Sequence, residues 1–220
     1  QVVAISFVEA EIERVAGGEM YHLKHVLSGR HTGASEQELL EAFAQFMARK
    51  RPRLVSFNGR GFDLPVLKLR AMKYGVALPG LFQVGDKWNS YQNKNSLDWH
   101  CDLLDALSDF GTATRGMKLN EVCAVFGFPG KLGVDGGDVA ALYDAGQLED
   151  IRNYCETDVL NTFLVYLRYQ LLTGTLSAGN YNQAISQVIT YIEAEAPERP
   201  HLDEFMAAWG DASDDTFLLP

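Results

Sequence analysis

The run Leu54-Val55-Ser56-Phe57, ending abruptly at Asn58-Gly59-Arg60-Gly61, is the feature that most limits the possible folds. It is too short for a helix, largely apolar and closed by glycine, which reads as a strand lying inside a sheet. The segments on either side of it are helical in pattern. Before it, Ser35 with Glu38 three residues on forms a capping-box signature, and Leu39, Leu40, Phe43, Phe46 and Met47 share one face of a helix over 36–49. After it, Pro65 falls in the first turn and Gly75 just past the end of a helix over 64–74. A buried strand between two helices points to an α/β domain, in which helices cover the sheet faces.

The rest of the chain extends this reading. Residues 2–8 are rich in Val, Ile and Phe and predict a strand; Gly17-Gly18 suits a hairpin turn, and 20–27 predicts the returning strand. Residues 79–97 read as loop, 96–104 as a strand feeding a helix near 102–108, and 119–126 as a helix stopped by Gly127 and Pro129. Helices are expected over 138–145, 147–172 and 181–195, then a short one around 202–209 and a loose tail. The expected division is one domain over 1–195 and an acidic C-terminal extension over 196–220.

The chain has 220 residues, 19 Lys and Arg against 29 Asp and Glu, and a formal charge of −10. That balance argues against a surface that adheres as a whole to nucleic acid or anionic lipid, but not against a local basic track beside an acidic site. No apolar run approaches the ~20 residues of a membrane helix. Cys101, Cys123 and Cys155 are odd in number and unrelated in spacing, so they read as reduced thiols of a cytoplasmic protein.

Two constellations carry chemistry. In Asn58-Gly-Arg-Gly-Phe62-Asp63-Leu-Pro65, a strand end delivers a carboxylate to the start of a helix, a favoured place for ligand sites in α/β sheets. A plain helix cap is an equally good reading of Asp63. In Tyr154-Cys-Glu-Thr-Asp158, Asp158 interrupts an apolar stripe that includes Ile151, Cys155, Val159 and Thr162. A carboxylate there needs a cation or hydrogen-bond donors. Tyr154 lies one turn earlier on the same face, where its hydroxyl could orient a water or simply pair with a carboxylate in the core.

In order along the chain, N-x3-F-D-x-P at 58–65 and Y-x3-D at 154–158 resemble the second and third motifs of the DEDD exonucleases. The chain resembles in particular the predicted 3′–5′ exonucleases related to the proofreading domain of family B DNA polymerases, in the DEDDy variant, stand-alone bacterial proteins that lack a polymerase. Residues 118–127 and 138–154 likewise resemble that family's approach to its third motif. The resemblance covers roughly 54–170, and implies a ribonuclease H-like fold with a mixed sheet of about five strands flanked by helices. It also implies a 3′→5′ exonuclease that removes nucleotides from DNA 3′ ends, most naturally single-stranded ones, using two Mg²⁺ or Mn²⁺ ions about 4 Å apart. Asp63 and Asp158 would be metal ligands, Tyr154 would orient the attacking water, and Asn58 and Phe62 would shape the turn and contact the terminal nucleotide. A core position is the more ordinary role for Phe62.

The first motif of that family, D-x-E on an opening strand, has no counterpart here. Glu9 and Glu11 have the spacing but read better as the charged edge of a strand, and the D-x-E strand is expected before Gln1. The alternatives are an inactive nucleic-acid- or protein-binding module on the same fold, and an exoribonuclease. Weaker features are the basic residues Arg49–Arg53, Lys68, Arg70 and Lys73 as a phosphate track, and Trp88 and Tyr91 as base-stacking groups. Asp102 and Asp105 read as helix caps, the histidines show no ligand spacing, and Gly133–Gly137 lacks the Lys-Ser/Thr of a phosphate loop.

Overall fold

The computed structural model describes all residues except 113–115, 134–135 and 214–215. It opens with an antiparallel hairpin, β1 (Ser6–Val15) and β2 (Gly18–Ser28), turned by Gly17 and Gly18, both at positive φ. The first strand therefore runs seven residues beyond the expected end at residue 8. Glu9, Glu11 and Glu13 look like loop by polarity, yet they alternate with Val8, Ala10 and Ile12, which pack on the core. The outward carboxylates are matched across the hairpin or from the next helix: Glu9 to Lys50, Glu11 to Lys24 and Glu13 to His22, each at 2.9 Å.

Residues 2–5 do not pair as strand. The Val2 backbone N–H donates to the Glu36 carboxylate at 2.6 Å, while Arg70 and Tyr74 donate to the same group, and Val2 is buried among helix side chains. The segment is thereby drawn onto helices α1 (Glu36–Lys50) and α2 (Asp63–Tyr74). The Ser35–Glu38 capping box of α1 is present.

Between those helices lies β3 (Leu54–Ser56), which pairs in parallel with β4 (His100–Asp102). The short helices α3 (Pro79–Phe82) and α4 (Leu103–Leu107) flank the intervening loop. The expected sheet of about five strands is corrected here: the described residues form four strands, in two separate pairs, β1–β2 and β3–β4. With residues 2–5 held on α1 and α2, no described strand joins the two pairs by hydrogen bonds.

Helix–helix and helix–strand packing unites the pairs instead. After α5 (Leu119–Phe126) and α6 (Val139–Asp144) comes the 25-residue α7 (Leu148–Leu172), which packs on β1, β2 and β3 and also on α5. Its Leu160, Leu164 and Leu167 are fully buried. Helices α8 (Ala178–Glu195) and α9 (Pro200–Ser213) close the same core. The last helix is longer than the expected 202–209, because Leu202, Phe205 and Trp209 present a buried face to α7 and α8. Arg53 fastens β3 to the hairpin and to α7, donating to Glu19 at 2.7 and 3.0 Å and to the Tyr166 hydroxyl at 3.0 Å. Among the described residues, no helix is long and apolar enough to cross a membrane.

Candidate active site

The chain leaves β3 through a tight turn. Asn58 adopts the left-handed conformation (φ 65°), and Gly61 N–H and Phe62 N–H both return to the Asn58 carbonyl at 3.1 and 2.9 Å. The turn is held by a neighbouring strand. Asp102, at the end of β4 and 1% exposed, accepts from Asn58 N–H at 2.8 Å, Arg60 N–H at 2.7 Å and Leu104 N–H at 3.1 Å. Its expected role as a helix cap is thus one of three bonds. The other two lock the 58–60 backbone in a conformation set by the parallel pairing of β3 with β4.

The Arg60 side chain continues the same organisation, donating to the carbonyls of Tyr91 and His100 at 3.2 and 3.0 Å. Beneath the turn, Ser56 Oγ meets His100 Nε2 at 2.8 Å. Burial, with Arg60 and Lys68 nearby, pushes the His100 imidazole down to about 3, so it is neutral at ordinary pH. Gly59 is required by this packing: a Cβ there would stand 2.6 Å from Ser56 Cβ and 3.5 Å from Asp63 Oδ2.

Asp63 is the first residue of α2. The N-cap position is Phe62, with no side-chain capping hydrogen bond, so Asp63 is not the cap. Its side chain reaches solvent, yet protein is packed densely around it. That burial, with Asp102 adding repulsion, raises its carboxyl above the usual range against the pull of its own N–H. A carboxylate in this condition gains from a nearby cation.

Across from the turn, α7 carries Asp158, half-buried, with Tyr154 one turn earlier. The Tyr154 hydroxyl lies beside Gly136. Burial first, then the Asp158, Asp63 and Glu156 carboxylates, push the Cys155 thiol up to about 12. Asp63, at the start of α2, and Asp158, on α7, are 95 positions apart in sequence, and α7 packs on β3, the strand that leads into the Asp63 turn. Divalent ions of the Mg²⁺ and Mn²⁺ class take oxygen donors, and this pair fits that chemistry. Among the described residues, no group of three or more His, Cys, Asp or Glu side chains could hold a metal ion. Recesses elsewhere, one by Val2 and Tyr143 and another by Met206 and Phe217, include neither Asp63 nor Asp158.

Other sequence-selected residues are placed as follows. Asn58 is exposed at the turn. Phe62 is 63% exposed, which overturns the core position as its ordinary role: at the head of α2 its side chain projects away from the face that buries Leu64 and Leu67. Arg53 and Arg70 are structural cations, engaged by Glu19 and Glu36, and do not belong to a phosphate track. Tyr91 is buried, with its hydroxyl on the Pro52 carbonyl at 2.6 Å and its ring edge-on to Trp99, so it anchors the loop. Trp88 is exposed. Glu9 and Glu11 sit on β1, in the ion pairs with Lys50 and Lys24. In the Gly133–Gly137 run, positions 134–135 lie outside the described residues. Sequence reading saw Asp102 only as a cap; the recoverable signal was a carboxylate at the end of the strand next to a glycine turn.

A short parallel strand pair opening into a turn, packed against a long helix, defines an α/β domain. The chain belongs to the family described as a predicted 3′–5′ exonuclease related to the exonuclease domain of PolB, whose model matches residues 1–209. It is also similar to DNA polymerases of Thermococcus aggregans (34% identical over 79 residues) and Pyrococcus glycovorans (32% over 79 residues). A third such relative is the DNA polymerase of Thermococcus litoralis, at 33% over 79 residues. Each match takes in 36% of this chain but only 4%, 10% and 4% of those polymerases, respectively.

Proposed function

We propose that the protein is a metal-dependent 3′→5′ exonuclease of ribonuclease H-like fold that removes nucleotides from single-stranded DNA 3′ ends by phosphodiester hydrolysis. The observation that carries this reading is membership of the PolB-related exonuclease family over residues 1–209, and it is supported by the placement of Asp63 at the turn after β3 and of Asp158 on α7, the helix that packs on β3. Asp63 and Asp158 would hold Mg²⁺ or Mn²⁺ together with further oxygen ligands. Bound divalent ions supply charge neutralisation at the phosphate and activation of water.

The chain's own groups do the rest. Tyr154, one turn from Asp158, orients the attacking water through its hydroxyl. The Asn58–Phe62 turn, fixed by Asp102, positions the terminal nucleotide beside Asp63.

The test is digestion of a 5′-labelled single-stranded oligonucleotide with Mn²⁺. Stepwise shortening from the 3′ end, abolished in Asp158→Ala and in Asp63→Ala, is the expected result. Digestion unaffected by either substitution refutes the assignment. Binding without cleavage, independent of metal, would instead favour the non-catalytic module, and selective digestion of RNA the exoribonuclease.

A further inference from the structure

Four aromatic rings stand exposed on the 58–63 turn and on the segments that follow it: Phe62 at 63%, Phe82 at 54%, Trp88 at 69% and Phe110 at 40%. Three of them carry a lysine over the ring. The ammonium of Lys68 lies 5.4 Å from the Phe82 centroid, Lys87 5.0 Å from Trp88 and Lys94 5.2 Å from Phe110. Among the described residues, none of these lysines makes an ion pair with a carboxylate.

The pairs are tied structurally to the turn. Lys68 is on α2, immediately after Asp63 begins that helix. Arg60 of the turn grips the loop at the Tyr91 and Asn93 carbonyls, and Asn93 in turn holds the Trp88 carbonyl at 2.6 Å. Gln92 fastens the loop to the Leu81 carbonyl of α3 at 3.1 Å, next to Phe82.

Residues 49–110, which span all four rings, hold ten Lys and Arg against six Asp, the reverse of the 19 basic and 29 acidic of the whole chain; of those cations, Lys50, Arg53, Arg60 and Arg70 are engaged by carboxylates. At physiological salt, charges more than about 8 Å apart are largely screened, so a polyanion near these loops meets the local surplus rather than the net −10. Exposed aromatics interleaved with unpaired lysines suit a ligand with alternating flat bases and phosphates. A duplex hides its base faces within the stack; a single strand presents them. An exposed lysine–ring contact is worth about 0.5–1 kcal/mol, less than the roughly 1–3 kcal/mol of a base stacked on an aromatic ring. A base can therefore displace the lysine from the ring face and leave the ammonium free for the adjoining phosphate.

We propose that the surface formed by the Lys68–Phe82, Lys87–Trp88 and Lys94–Phe110 pairs binds single-stranded DNA and leads it to the Asp63 turn. This rests on the exonuclease reading and names the surface by which the substrate strand is held.

The experiment uses the full chain in EDTA, with fluorescein-labelled oligo(dT), oligo(U) and duplex of equal length. Anisotropy and quenching of tryptophan emission are followed together; Trp209 is buried, which leaves Trp88 the most exposed of the tryptophans. Trp88→Ala is expected to weaken oligo(dT) binding about 5- to 150-fold, with Trp88→Phe largely restoring it. Lys87→Ala with Lys94→Ala is expected to lower the slope of log affinity against log salt by about 1.4. Wild-type binding that survives Trp88→Ala and the lysine pair unchanged overturns this surface and leaves the exonuclease reading standing. Tighter binding of duplex or oligo(U) than of oligo(dT) also overturns it. Loss of Mn²⁺-dependent digestion in the wild type is read separately, and that result alone refutes the exonuclease reading.

Discussion

Replacing Asp102 by alanine removes the acceptor for three backbone N–H groups at once, those of Asn58, Arg60 and Leu104. Hydrogen bonds to a charged group contribute about 1.5–3 kcal/mol each, and a buried donor left unpaired costs about 1–3 kcal/mol. Partial recovery is available, since Asn58 is exposed and water can reach its amide, and the desolvation of the carboxylate itself is relieved. The Leu104 bond is a helix cap worth about 1 kcal/mol. The net expected loss is roughly 3–5 kcal/mol for Asp102→Ala. For Asp102→Asn it is about 2 kcal/mol, because one oxygen still serves Asn58 and Leu104 while an amide NH₂ now faces Arg60 N–H. Urea unfolding gives the stability, with an unchanged denaturant slope expected. Amide hydrogen exchange at Asn58 and Arg60 reports the turn directly, and both sites should lose protection in the alanine variant. A loss below about 1 kcal/mol, or unchanged protection at both amides, would refute the reasoning that Asp102 locks this turn.

With Asp63 in its proposed role as a metal ligand, its raised carboxyl sets the sign with pH: Mn²⁺ affinity, measured by calorimetry, should be full well above its titration and fall as acid protonates it. A profile flat down to the ordinary Asp value of about 3.9 would contradict the burial and Asp102 repulsion invoked. Glu156 behaves oppositely. Burial disfavours its charge, but bonds from His201, Arg199 and Ser28 prevail and hold it down to about 2. Its stabilising contribution is complete above the unfolded value near 4.3 and is lost as pH falls toward 2. Acid unfolding of Glu156→Gln should accordingly show a shallower loss of stability across that window; an unchanged slope counts against it. Gly59→Ala drives a methyl into Ser56 and should destabilise the protein by about 1–3 kcal/mol. Most of that loss should be recovered in the Ser56→Gly background, and additive losses in the double-mutant cycle would show that the contact is not the cause.

Local signals were readable where they are decided locally. The Ser35–Glu38 box, Pro65 and the glycines at 75 and 127 lie within a turn or two of the groups they cap, so α1, α2 and α5 could be read from the chain alone. Polarity misled at residues 9–15, because a half-exposed strand alternates and its outward glutamates imitate a loop. Phe62 misled in the other direction: an aromatic residue beside a helix start suggests core, and only the direction in which α2 leaves the turn puts it in solvent. Arg53 and Arg70 looked like surface cations, since sequence cannot tell that Glu19 and Glu36 will be brought to them.

The sequence by itself determined the α/β class, the order of nearly every element and the carboxylates worth testing, because caps and periodicities act over a few residues. Only the tertiary structure decided that the strands form two separate pairs, that α7, which carries Asp158, packs on β3, and that Asp102 clamps the 58–60 backbone. Those relations join residues some forty to one hundred positions apart, and they exist only once burial on α7 and the parallel pairing of β3 with β4 have brought distant segments together.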